Sequence, residues 1–295
     1  VKGERVNGGA ILLAIAAAAA WAIGMTAAKP AVRHIDRLTY MLGRWAVVAT
    51  LALVYAGFSR SLSFPGLQPV GMAALAGLLD ATFGGLFFLM AMERAPAYQT
   101  TTLSSTAPIW GVAGAFLFLG EPLRWSLLVA AGLAVVGTYL LAGSGRRGLL
   151  SARSGTLLAL LTGVLWGVAE TVPTKLALDG GLAPAATLFV FSIAGGIGAL
   201  LLLPLLRRTV PRRVDGRGIA WMLLSAVAGA FLGWLLWLRG LESAPASLLS
   251  PIRGSTMLFA FLYSVAFLKE RPTWRSLVGV ALVLSGVLWV SLGTS

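Results

Sequence analysis

The sequence predicts an all-α integral membrane protein of ten transmembrane helices, arranged as two inverted five-helix repeats around a central cavity. Three observations predict it. The 295 residues are 58% hydrophobic and only 11% charged, with a mean hydropathy of +0.88, more apolar surface than one soluble core can hide. The apolar residues fall in runs of roughly 20, the length that crosses about 30 Å of hydrocarbon. And residues 92–125, "MERAPAYQTTTLSSTAPIWGVAGAFLFLGEPLRW", are echoed without a gap by residues 241–274, "LESAPASLLSPIRGSTMLFAFLYSVAFLKERPTW". Glu93/Glu242, Pro96/Pro245, Glu121/Glu270 and Trp125/Trp274 all recur at one spacing, which marks an internal duplication.

The spans follow in order. The first, 8–28, follows Lys2 and Arg5, the basic start of a secretory leader. Its apolar run is long, however, and "SGTLLALLTGVLWGVAETVPTK" (154–175) echoes it, matching Trp21 to Trp166 and Thr26 to Thr171. It therefore reads as a retained helix. Spans at 38–57, 69–92, 98–119 and 125–142 complete the first unit, residues 1–145. Spans at 155–176, 185–206, 218–240, 246–267 and 275–292 make the second, residues 152–295. Short links rich in Gly, Pro or charge separate them, among them "SRSLSFPG" (59–66), "GEPLR" (120–124) and "RRTVPRRVDGRG" (207–218). Continuous apolar runs of this length are helices; barrel strands are about ten residues long and alternate.

Five is an odd number, so the second unit enters the membrane from the opposite face, and the two units are expected as alike bundles facing one another across a cavity. Gly-rich stretches such as "SIAGGIGAL" (192–200) and "WGVAGAF" (110–116) read as close helix packing. Pro108, Pro173, Pro204 and Pro251 are sites for kinks.

Symmetry separates scaffold from site. Glu93/Glu242 and Glu121/Glu270 recur at helix ends and read as turn-forming and capping residues. Arg44, Asp80, Glu170 and Arg253 lie inside spans and do not recur; their approximate counterparts are Ile193, Gly229, Met25 and Ser104. A charge in the bilayer is costly, so it faces a partner or a wet cavity. The two arginines are near enough to helix ends to snorkel, whereas Asp80 is central and short. Glu170 and Arg253 lie at similar depth from one face and are placed to pair. These four charges, with Trp21 and Trp166 as aromatic walls, form the candidate substrate site. Trp234, Trp237 and Tyr263 are further aromatic candidates. Two cations and two acids suit a zwitterion such as an amino acid, with one acid free to exchange a proton.

The Gly120-Glu121-Pro122 and Lys269-Glu270-Arg271-Pro272 turns, each closing a fourth helix, resemble the drug/metabolite transporter superfamily, EamA type. Trp21, Trp166 and Arg44 fit the same pattern, and the resemblance covers nearly the whole chain. It implies a secondary transporter working by alternating access in the cell membrane, exporting small polar metabolites such as amino acids. It leaves a lipid or lipid-precursor flippase, or a carrier of anions such as sugar phosphates, as alternatives.

Other classes are disfavoured. The net charge of +13 comes from clusters between apolar runs, the pattern of membrane loops, so nucleic acid is not an expected partner. With no cysteine and one histidine, His34, no metal site or cofactor is expected, and no catalytic motif points to an enzyme. The expected partners are the lipid bilayer, a small-molecule substrate and a coupling proton, with the chain a monomer or homodimer. Fifteen of the 23 Lys and Arg fall on the face opposite the N-terminus, so the positive-inside rule places both termini outside the cytoplasm.

Overall fold

The computed structural model describes residues 8–94, 97–122, 125–142, 153–202, 215–268 and 273–292, and among them every regular element is helical. The first half contains α1 (Gly8–His34), α2 (Arg37–Phe58), α3 (Leu67–Arg94), α4 (Ala97–Ser104), α5 (Ala107–Leu119) and α6 (Trp125–Ala142). The second contains α7 (Arg153–Asp179), α8 (Pro184–Leu201), α9 (Gly216–Ser243), α10 (Ala246–Arg253), α11 (Thr256–Leu268) and α12 (Trp274–Leu292). Among the described residues, six stretches are long and apolar enough to cross a membrane as continuous helices: α1, α2, α3, Leu157–Asp179 of α7, α8 and α9. Leu12, Phe58 and Leu201 point outward from them, where hydrocarbon suits them.

Local chemistry sets the ends. Asp36 starts α2 by accepting the Thr39 N–H at 2.9 Å, and Asp215 starts α9 by accepting that of Gly218 at 2.7 Å. Gly120, at φ +67°, closes α5 in the left-handed region that a side chain resists.

Two expected spans are broken. Residues 98–119 divide into α4 and α5, and 246–267 into α10 and α11. Pro108 does not kink a continuous helix but sits in the first turn of α5, where its missing N–H costs nothing. In the second half the break falls at Gly254–Ser255, directly after Arg253. Pro173 and Pro251 lie within α7 and α10, and Pro204 lies outside the described residues. The third helix of each half carries a π-helical segment instead, Leu78–Gly84 in α3 and Ser225–Leu232 in α9.

The described helices of the two halves do not pack only within their own half. They interleave: α1 packs on α9, α10 and α11, while α7 packs on α3, α4 and α5. The α2 helix pairs with α8, and α6 with α12. Each half therefore supplies the burial that the other lacks. The α1–α9 crossing is closest at Gly24 and Gly229, where a Cβ on Gly229 would sit 2.4 Å from the Gly24 Cα. No larger residue fits without driving the helices apart. "SIAGGIGAL" serves the same purpose on α8, where a Cβ on Gly195 would meet that of Ala81 at 2.4 Å.

Candidate functional site

The site is built around the α10 break. This eight-residue helix ends at Arg253, where the unpaired carbonyls of a helix C-terminus favour a cation. Its N-terminus is held from the other half: the Glu121 carboxylate accepts the Ala246 N–H at 2.9 Å and the Ser247 N–H at 2.8 Å. The Glu121-Pro122 and Pro245-Ala246 motifs thus acquire a purpose, a turn in one half capping a helix in the other. Glu270 lies outside the described residues. Glu93 and Glu242 serve as scaffold too, pairing with Arg37 at 2.9 Å and Arg239 at 3.5 Å.

Arg253 does not snorkel. It is 5% exposed, and its Nε and Nη2 both engage the carboxylate of Glu170 on α7, itself 3% exposed. This fork-to-carboxylate geometry is the strong form of an ion pair, and burial makes each charge depend on the other. Two aromatic rings flank the guanidinium, Trp21 at 5.2 Å and Trp166 at 5.8 Å from ring centre to Cζ. The rings are seated reciprocally. Trp21 of the first half lies against Gly233 of the second, and Trp166 of the second against Gly84 of the first; a Cβ on either glycine would strike the indole within 2.7 Å. Trp237 stacks on Trp21 at 5.5 Å and donates its indole N–H to the Glu170 carbonyl at 2.8 Å. Trp234 joins Trp21 to Phe191, and Phe191 joins it to Trp45.

Arg44 stands at the far end of that aromatic row. Its guanidinium lies 4.6 Å from the Trp45 ring centre, its Nε is buried without a hydrogen bond, and it has no ion-pair partner among the described residues. It lines a cavity between α1, α2, α3 and α7, whose wall includes Met25, Trp45, Phe88 and Trp166. Asp80, on the π-helical segment of α3, is 6% exposed and lies behind that wall, next to the lining residue Ala81. Glu170, Arg253 and Arg44 are all within electrostatic reach of it, yet no hydrogen bond or salt bridge ties it to a described residue. π-Helical turns inside α-helices often mark functional positions.

The structure therefore joins the six residues singled out in the sequence into one assembly, in which Trp21, Asp80, Glu170 and Arg253 are buried and Arg44 and Trp166 half-buried. It divides them, however: Glu170, Arg253 and Trp21 form a closed knot, while Arg44 and Trp166 face the cavity. Trp234 and Trp237 belong to the knot, whereas Tyr263 stacks at 6.5 Å on Phe259, away from it. Trp45, Tyr40, Phe88 and Phe191 were not singled out. Only Trp45 carries a signal, its adjacency to Arg44.

Broken helices meeting at the middle of the fold, with buried charges of both signs beside a cavity, are the build of a membrane transporter. The model of the EamA-like transporter family matches residues 8–143 and again residues 153–292, and the chain belongs to that family. An "Uncharacterized transporter" of Archaeoglobus fulgidus is 26% identical over 288 residues, 96% of this chain and 98% of its own. The protein PecM of Dickeya dadantii is 26% identical over 76% of this chain and 75% of its own. A Streptantibioticus cattleyicolor protein named "Probable terminal-alkyne amino-acid exporter" is 27% identical over 84% of this chain and 82% of its own. A solved crystal structure superposes with a TM-score of 0.79 at 18% identity, covering 96% of this chain and 98% of that one, and so shares the fold.

Proposed function

We propose that this EamA-type transporter is a secondary carrier that moves small polar metabolites outward across the cell membrane by alternating access, with amino-acid-like zwitterions as the leading class. In this reading ten spans form two inverted repeats, 1–145 and 152–295. The four spans beyond the six continuous ones are α4 with α5, α6, α10 with α11, and α12. The reciprocal packing of α1 on α9 and α7 on α3, and the exchanged Trp21–Gly233 and Trp166–Gly84 contacts, support a twofold relation between the halves.

One observation carries the proposal: Arg44 lines the cavity with no carboxylate salt-bridged to it among the described residues, Asp80 being within electrostatic reach but not bonded to it. A half-buried cation of this kind inside an apolar span is costly unless something arrives to pair with it, and a substrate carboxylate does so. Glu170 and Arg253 neutralise each other and serve as the pivot joining α7 to α10. Asp80 is left to receive the substrate's ammonium group or a coupled proton. A phosphate ester asks for several convergent cations, and the cavity wall supplies one.

The test is binding of radiolabelled amino acids to the purified protein, with Arg44→Ala and Arg44→Lys beside the parent. Both variants are expected to lose binding, because lysine keeps the charge but not the planar fork that stacks on Trp45. Undiminished binding in Arg44→Ala moves the site elsewhere.

A further inference from the structure

Resting on that reading, we infer that the transported molecule is a carboxylate with a compact apolar or aromatic body, and that the cavity rejects small hydroxylated or dicarboxylic relatives. The wall decides this. Around the single charge of Arg44 stand Met25, Met41, Trp45, Phe88, Leu89 and Trp166, all of which offer hydrocarbon, sulfur or ring faces. The one hydroxyl in the wall, on Tyr40, is already hydrogen-bonded to Ser225 Oγ at 2.6 Å, in a buried contact. A serine-like or sugar-like substrate would bring hydroxyls that meet few partners there beyond the Arg44 guanidinium and the indole N–H groups of Trp45 and Trp166, and stripping such groups of water without replacing their bonds is unfavourable. A second carboxylate would enter a wall with one cation and with Asp80 close behind it. An apolar body loses water and gains contact with that wall.

The two methionines make the selection one of class rather than of a single shape. Their unbranched thioether chains repack around rings or branched chains of different outline. The carboxylate end is fixed by Arg44, and the body lies along Phe88 and Trp166, whose rings already stack at 5.0 Å. Asp80 lies behind the wall and not in it, so an amino acid and its deaminated acid share the apolar subsite and differ only in what an ammonium group gains from that nearby carboxyl.

Proteoliposomes containing the full chain are assayed with four labelled probes: phenylalanine, 3-phenylpropionate, serine and aspartate. The expected result is saturable uptake of phenylalanine, 3-phenylpropionate or both, with an apparent affinity at least about tenfold above serine and aspartate. Phe88→Ser, if it folds, narrows that ratio; the parent's own ratio tests the inference without it. A preference for phenylalanine over 3-phenylpropionate assigns the ammonium group to Asp80, and the reverse preference assigns a simple monocarboxylate; either supports the apolar subsite. Serine or aspartate taken up as well as phenylalanine, with dependence on Arg44, overturns the inference and leaves the carrier reading standing. Uptake of none of the four overturns both.

Discussion

Arg253 and Glu170 are joined by two contacts across 83 residues of sequence, and α8 and α9 separate the helices that carry them. The pair closes the α7–α10 contact and is roofed by Trp21 of the first half. Removing one partner leaves the other charge buried and unpaired, which costs about 3–5 kcal/mol for pairs of this kind. Arg253→Ala should therefore lower the unfolding midpoint sharply. The double variant Arg253→Met with Glu170→Leu should recover much of that loss, because neither charge remains. A double-mutant cycle read by thermal unfolding in detergent checks this. Additive losses would show that the pair contributes no coupling.

Asp80 is buried on a π-helical segment in reach of three other charges. Asp80→Asn keeps its shape and hydrogen-bonding capacity but removes titration. Binding should fall by no more than about threefold, which is about 0.6 kcal/mol by the affinity relation. Stimulation of flux by an imposed pH gradient should disappear. Gradient-dependent flux unchanged in this variant would remove Asp80 from the coupling step.

Glu121 caps α10 with both carboxylate oxygens. Hydrogen bonds to charged groups contribute about 1.5–3 kcal/mol each, so Glu121→Ala should destabilise the protein more than Glu121→Gln, whose amide retains one acceptor. Glu270 is its counterpart in the sequence repeat, and Glu270→Ala should be comparably damaging. Thermal unfolding of the three variants checks the order, and an unaffected Glu121→Ala would make the cap incidental.

The charge asymmetry between the two faces predicts both termini outside the cytoplasm. A C-terminal alkaline phosphatase fusion should be active and a fluorescent-protein fusion dark. The opposite pattern would reverse the assigned direction of every span while leaving the packing unchanged.

Much of this was legible because lipid constrains what a sequence can hide. Charges inside apolar runs have to be accounted for, so Arg44, Asp80, Glu170 and Arg253 stood out before any contact was known, and comparing depths anticipated the Glu170–Arg253 pair. The repeat likewise marked Glu93, Glu121 and Glu242 as scaffold. The helix breaks at Ser105–Thr106 and Gly254–Ser255 were not legible, because both stretches are apolar enough to run on and a turn there costs nothing that hydropathy records. The interleaving of the halves was hidden too. Apolar faces such as those of α1 and α9 state that they will be covered, but not by which partner, and Gly24 against Gly229 is a contact between two residues without side chains. Tyr40 and Phe88 carry no signal of a cavity, since an aromatic ring in lipid has the same composition as one in a pocket.

The central claim is that a substrate paired with Arg44 crosses in a site open to one side at a time. Counterflow in proteoliposomes tests it most directly. Vesicles loaded with excess unlabelled substrate and diluted into a trace of labelled substrate should accumulate label transiently above its outside concentration, with saturation, and Arg44→Ala should abolish the overshoot. Label that merely equilibrates, at a rate linear in concentration and indifferent to the internal load, would contradict alternating access and describe a pore.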